Sequence, residues 1–447
     1  MKQSSVIKTV LFTLTALLLF VSMVQERFKV FSFKPLEEKS GAAPKPNLTF
    51  KSYRTAQYQT QLESYVGEHF GFREPLIRTY NQFVYSGLHS ITNQHIKRGL
   101  NDELYLKMYL DEASGNTLVK TYFNVENAKA AAQYNVDETL RLIDTLHSHG
   151  TEFLFIFAPT KTAVYPEQMP HYYRNHIQEF SLEEYYIELF KEKGIPHIDF
   201  LSQFKAMRDT VTYPLYTRTG THWAASTLPF VTDSIMRKIA SITGYDLPRI
   251  CCLNAPLTTD YTEQDAELEV KMNLLWPLEK PALPRPEITL CDTAGKVRPN
   301  LLAVGDSHFG TLIGTGFTEA FAHWDFWEYN KTSISSNPVY NFAQVSELAD
   351  AYKILEDADI MMAVFTAPML YNYMFGFTDS AFGLYEYARC DSCKREGRIR
   401  WLMHSITSDP DWFDAVVKQA EEKGISVEQA LRGNAEYLIY VEEQGEN

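Results

Sequence analysis

Residues Glu152 to Ala158 read EFLFIFA, an unbroken apolar run too short for a helix and bounded by turn residues. Such a run makes a strand buried on both faces, which is the signature of a parallel sheet. The runs at Asn300–Val304 and Ile360–Phe365 have the same character. Between them lie segments with helical periodicity: Val125–His149 ended by Gly150, Leu182–Lys193 closed by Gly194, Trp223–Thr243 closed by Gly244, and Val345–Glu356. Ile195–Phe200 reads as a further short strand, and Ser307 is expected to start another helix. Strands alternating with helices predict an α/β fold with a mostly parallel sheet, since parallel neighbours require crossover connections.

The flanking regions have a different character. Thr9 to Val24, TVLFTLTALLLFVSMV, is uncharged and apolar, and extended back to Val6 it is long enough for a bilayer core. A cleaved signal peptide is the competing reading, but no small-x-small cleavage site precedes Gln25, so residues 1–24 are expected to be an uncleaved signal anchor. Lys2 and Lys8 precede the run and Arg27, Lys29, Lys34 and Lys39 follow it, so flanking charge does not fix orientation. A short head before a large C-terminal portion makes an inside N-terminus the simpler insertion. Residues 25–52 read as a stalk, Tyr53–Leu88 as helices interrupted at Gly71-Phe72-Arg73, and Ile96–Leu110 as a hairpin turning at Asn101-Asp102. The Pro-rich stretch 247–299 reads as an irregular insertion into a main domain spanning 53–380. Residues 381–447 form a helical extension, with Asp409-Pro410 and Ser426 through Gln429 as helix-start signals.

Composition narrows function. A net charge of −14 disfavours nonspecific binding to nucleic acid. The 27 Tyr, 28 Phe and 6 Trp suit a carbohydrate-facing surface and equally a large core. Five cysteines are too few for a disulfide scaffold. Cys390 and Cys393 have CxxC spacing without an evident helix start to activate them, and a zinc site joining them to Cys251 and Cys252 is disfavoured against a local disulfide or free thiols. No metal or cofactor is expected.

Gly305-Asp306-Ser307 directly follows the strand LLAV. A serine at the carboxyl end of a buried strand, beside a helix start, has backbone N–H groups at hand for an oxyanion. Its candidate base is His222 in Thr219-Gly220-Thr221-His222-Trp223, a loop that precedes a helix. For a lone histidine the structural role is the default. Pairing with a strand-end serine is what raises the catalytic reading.

These residues resemble the SGNH hydrolase-like domain of the alginate O-acetyltransferases (AlgJ and AlgX) and the related DHHW-type bacterial proteins. The HW and GDS segments are the specific part. Gly71-Phe72-Arg73, Ala158-Pro159-Thr160-Lys161 with Tyr165-Pro166 and Pro170, Phe326 to Asn330, and Gly376-Phe377 add weaker likeness. The resemblance implies an SGNH-type sheet flanked by helices, with Ser307 as nucleophile and His222 as general base. It implies an extracytoplasmic O-acetyltransferase or acetylesterase acting on a polysaccharide, held at the bacterial inner membrane with its main domain periplasmic. A multi-span membrane O-acyltransferase is the implied acetyl donor. The family places an acid two residues before the histidine, where this chain has Gly220. Asp199 and Asp306 are the candidate substitutes, and Lys161 and Trp223 the candidate substrate contacts. A non-catalytic polysaccharide-binding scaffold on a degenerate SGNH fold is the alternative that Gly220 favours.

Overall fold

The apolar runs do form one sheet. A computed structural model describes residues 2–37, 43–348, 350–387 and 391–445. Its main strands are β1 (Glu152–Ala158), β2 (His197–Asp199), β3 (Leu301–Gly305), β4 (Trp324–Glu328), β5 (Thr332–Ser335) and β6 (Ile360–Thr366). They form a six-stranded sheet in the order β5-β4-β3-β6-β1-β2. Every pairing is parallel except that of β4 with β5. β4, the next strand in sequence, pairs with β3 on one side, while β6, the last strand in sequence, lies on its other side. The strand order thus reverses at β3, and the carboxyl end of a strand at such a point is the usual place for a site in an open α/β sheet.

The strand period of two divides the apolar runs between two cores. Phe153, Phe155 and Phe157 of β1, with Met361, Ala363 and Phe365 of β6, face one core, while Leu154, Ile156, Met362 and Val364 face the other. The first face is covered by α1 (Val125–Ser148) and α2 (Leu182–Lys193), and the second by α3 (Leu228–Thr243). Asn124 caps α1 by accepting from the Asn127 N–H at 2.9 Å.

The helical tail belongs to the first core. α5 (Asp391–Ser408), α6 (Pro410–Lys423) and α7 (Val427–Gly445) bury Met403, Phe413, Val416 and Leu431 in the cluster that holds Phe155. Both start signals operate. Asp409 accepts from the Trp412 N–H, and the Ser426 and Gln429 side chains cap each other's amides.

Elsewhere the structure departs from expectation. After Ser307 there is only one helical turn, Ser307–Gly310, followed by turns up to a short 3-10 segment at Phe317–Ala320. Gly310, Gly314 and Gly316 oppose a longer helix there. The Pro-rich stretch is more ordered than expected. It holds α4 (Glu263–Met272) and a ribbon in which Arg249–Cys252 pairs antiparallel with Ile288–Cys291, and the ribbon is closed by a Cys251–Cys291 disulfide. That bond takes Cys251 out of any thiolate set; Cys252 is free and exposed, and Cys390 lies outside the described residues. Asn101 and Asp102 do turn the chain, both with positive φ, but Lys107–Ala113 is helical.

Two compact units emerge, one of residues 1–97 with 267–279 and the other of residues 98–266 with 280–447. In the first, a helix at Lys2–Phe28 includes Val6–Phe28, which is long and apolar enough to cross a membrane. Gly71 interrupts the helices that follow, and a Cβ there would meet Ser22 O at 2.3 Å, so glycine permits the close approach.

Phe155 is wholly buried with the Phe157, Phe190 and Phe365 rings centred 4.6, 4.9 and 5.5 Å away. Phe155→Ala is expected to cost about 3–5 kcal/mol, read as a lowered denaturant midpoint by tryptophan fluorescence. An unchanged midpoint would contradict this packing.

Candidate active site

Each residue of Gly305-Asp306-Ser307 has its own physical task. Gly305 ends β3 against β6, where a Cβ would lie 2.3 Å from Val364 O, so a side chain would force the two strands apart. Asp306 is buried (2% exposed) and caps the following turn by accepting from the His308 N–H at 2.9 Å. Its other oxygen accepts from the Thr366 N–H and Oγ1 at 2.8 and 2.7 Å, which ties the end of β3 to the end of β6. The His308 ring nitrogen Nδ1 is 3.2 Å from this carboxylate. Burial alone would raise the Asp306 carboxyl, but the His308 contact and the surrounding donors outweigh it and hold it below the usual carboxylate range. Ser307 therefore sits on a rigid turn between β4 and β6.

His222 reaches this serine across 85 residues of sequence, its Nε2 lying 2.8 Å from Ser307 Oγ. That distance is within the range at which a base takes a hydroxyl proton. The imidazole is largely buried (8% exposed), and its ring centroid is 4.7 Å from that of His308.

The loop that carries His222 is held from two directions. From one side comes Lys161, buried to 2% exposure, whose ammonium donates to the carbonyls of Leu104, Thr217 and Arg218 at 3.1, 2.7 and 3.1 Å. The ammonium also pairs with Glu103 at 2.7 Å and lies 5.0 Å from the centre of the Tyr105 ring. From the other side comes Asp265, in the first turn of α4. Its carbonyl accepts from the Thr217 and Thr219 hydroxyls at 2.5 and 2.7 Å, and its carboxylate accepts from the Ala225 N–H at 3.1 Å. Burial raises the Asp265 carboxyl, and the Thr262 and Ala225 donors offset only part of that.

Gly220 lies in this clamp. A Cβ there would be 2.6 Å from Gln264 O and 2.7 Å from Thr217 Oγ1, so no carboxylate-bearing side chain fits at this position without displacing α4. Asp199 does not replace it. It sits at the end of the edge strand β2, where its carboxylate accepts from the Ser202 N–H and hydroxyl at 2.8 and 2.7 Å and from Lys191 at 3.1 Å. Asp306 is engaged with His308 and Thr366.

The two expected substrate contacts also prove to be interior. Lys161 has its ammonium enclosed as described. Trp223 is wholly buried, donates Nε1–H to Thr311 Oγ1 at 2.7 Å, and presents its ring edge-on to His308 at 5.1 Å. Both residues bind protein rather than face solvent. A lysine after a strand end and a tryptophan after a histidine carry no sequence mark of burial.

Three residues near the serine escaped sequence reasoning. His308 packs between the His222 and Trp223 rings, and Thr366 anchors Asp306. Tyr329 follows β4, whose Glu328 lies in register with Gly305, and its N–H donates to Gly305 O at 2.8 Å. Tyr329 has a positive φ of 51°, and its phenol lies close enough to Ser307 to feel the serine's side chain and amide electrostatically. Burial raises this phenol above its ordinary pKa, which keeps it a neutral donor. Adjacency to GDS was the available signal for His308; Tyr329 and Thr366 required the register.

The family model for the SGNH hydrolase-like domain of the acetyltransferase AlgX matches residues 119–347, just over half of the chain and inclusive of both His222 and Ser307. Similar solved structures include the O-acetyltransferase domain of Pseudomonas putida AlgJ, at 13% identity and TM-score 0.39, covering 64% of this chain and 99% of that one. Pseudomonas aeruginosa AlgX matches at 14% identity and TM-score 0.38, covering 66% and 67% respectively. Bacillus cereus PatB1 with a sulfonyl adduct matches at 14% and 0.35, covering 56% and 93%. No curated protein matches the sequence.

Lys161→Met would leave buried carbonyls and Glu103 without their cation, at an expected cost of about 3–5 kcal/mol. Thermal unfolding of the full chain checks this. A variant that melts with the parent would show that the ammonium does not hold the loop.

Proposed function

The chain belongs to the AlgX-type family of SGNH hydrolase-like acetyltransferase domains, and on that premise we propose that it transfers or hydrolyses acetyl esters on a polysaccharide through Ser307 and His222. The observation that carries the reading is the 2.8 Å contact between His222 Nε2 and Ser307 Oγ, at the carboxyl end of β3.

Ser307 Oγ attacks the acyl carbon while His222 Nε2 takes the hydroxyl proton. Negative charge then develops on the former carbonyl oxygen. In this reading the Ser307 N–H, on the attacking residue, and the nearby Tyr329 hydroxyl, which stays protonated, are the donors for it. Collapse of the tetrahedral adduct breaks the bond to the leaving alcohol, which takes the proton from His222 and leaves an acetyl-serine. A second hydroxyl then repeats the steps in reverse order. With a sugar as acceptor the outcome is transfer, and with water it is hydrolysis. His222 must be oriented and its cation tolerated during both halves. In this chain that task falls to the Lys161 and Asp265 clamp on its loop, with Asp306 and His308 packed beneath the serine. These are positioning residues.

An apolar helix at Val6–Phe28 and a disulfide in the same chain support a tethered domain outside the cytoplasm, where such bonds persist. In this reading residues 1–24 anchor the chain and 25–52 form its stalk. A multi-span membrane acyltransferase supplies the acetyl group, as the family resemblance implies.

Turnover of an activated acetyl ester by the full chain in detergent is expected to fall at least about 10³-fold in both Ser307→Ala and His222→Ala. Tyr329→Phe is expected to lower kcat roughly 10²-fold with little change in KM. Gly220→Asp should lose activity rather than gain it, because its Cβ has no room. If the native chain and Ser307→Ala prove equally inert toward activated esters and acetylated sugars, the glycine at the family's acid position is better explained by a polysaccharide-binding scaffold.

A further inference from the structure

A cavity of about 260 Å³ opens near the same edge of the sheet, where Thr162 and Ala367 follow the ends of β1 and β6. Its walls include Met169, Ile177 and Phe180, and two of its polar linings are the carboxyls of Glu112 and Glu183. Glu183 stands in the first turn of α2 and is 1% exposed, and its Oε1 has no hydrogen-bond partner among the described residues. Glu112 is also buried, on the helix Lys107–Ala113. Proteins rarely leave a desolvated carboxyl oxygen unpaired, because the lost hydration is not repaid. The unpaired Glu183 carboxyl and the buried Glu112 line one cavity, an arrangement that an occupant with positive charge and N–H donors would complete.

We propose that this cavity binds a small organic ammonium ion, of the kind carried by a free amino sugar or by one amino-sugar residue of a polymer. The volume falls below the roughly 300–1,000 Å³ of larger ligand sites, which limits the occupant to about one ring. Apolar walls suit the carbon face of such a ring, and the paired acids suit its ammonium. Lys205 on the helix Phe200–Met207, whose charge acts on Glu183, is already held by Glu184 at 2.7 Å and does not satisfy Glu183 Oε1. The site is independent of Ser307.

Binding should be linked to protons. Burial raises Glu183 well above the usual carboxylate range, with the charge of Glu112 adding to it and Lys205 opposing. Burial raises Glu112 to about 7. Asp199 and Glu184 face Glu183 as further negative groups, and Tyr371 lies near Glu112. A cation favours the ionised acids, so its entry expels protons and its affinity rises as pH is raised toward 7, while the ammonium is still protonated.

The test is calorimetry on the full chain in detergent, with glucosamine as probe and glucose, N-acetylglucosamine and potassium as controls. Chitosan oligomers form a further arm that separates a free monomer from a polymer residue. Glucosamine should bind with proton release, seen as a heat that depends on buffer ionisation, while the controls should not. Glu183→Gln and Glu112→Gln should each weaken binding at least about tenfold, and Ser307→Ala should leave it unchanged. Equal binding of glucose, equal binding by both Gln variants, or no glucosamine binding at millimolar concentration would each overturn the proposal. If Glu183→Gln fails to fold, the Glu112→Gln result and the proton release of the parent still decide it. Esterase turnover is not a readout here, so failure of this site and failure of the Ser307 reading remain distinct.

Discussion

The site depends on one buried carboxylate. Asp306 accepts from both donors of Thr366 at the end of β6 and from the His308 amide after β3, so a single side chain joins two strand ends and sets the turn that holds Ser307. A carboxylate buried this deeply is stable only when its oxygens are paired. That requirement fixes β3 and β6 at their closest approach, which in turn permits only glycine at 305. The GDS pattern is thus a packing solution as much as a chemical one.

A second constraint acts on the histidine. Gly220 gives up the side chain that the family pattern would place there, because the first turn of α4 packs against its backbone. In return the loop acquires ties to Asp265 and to the buried Lys161 ammonium. The loop that presents His222 is therefore built from main-chain carbonyls and threonine hydroxyls, held by one cation and by the start of one helix. The Pro-rich stretch supplies that helix, so it takes part in the site and is more than a surface excursion.

The carboxyl edge of the sheet gathers chemistry because strand ends leave backbone groups unpaired there and helix starts follow. Ser307, Tyr329 and Thr366 sit at the carboxyl ends of three adjacent strands, β3, β4 and β6. The cavity with Glu112 and Glu183 lies farther along the same edge, beyond β1, where α2 begins.

Much of this was legible before any coordinates. Apolar runs such as EFLFIFA are buried on both faces wherever they fold, so the parallel sheet followed from local chemistry. Glycine stops, the Asp409 cap and the serine after LLAV are equally local and held their places. The sequence also singled out His222 and Ser307 as a pair. What it could not supply was depth and register. A lysine or a tryptophan next to a motif reads the same whether it meets solvent or the interior, and only packing decided that Lys161 and Trp223 face inward. Tyr329 lies beside the turn that holds Ser307 because β4 pairs with β3 at Glu328 and Gly305, a coincidence of register that no spacing along the chain encodes. Local periodicity determines the elements, since each is set by its own residues. Contacts between residues distant in sequence decide the site, since they exist only after the sheet has closed.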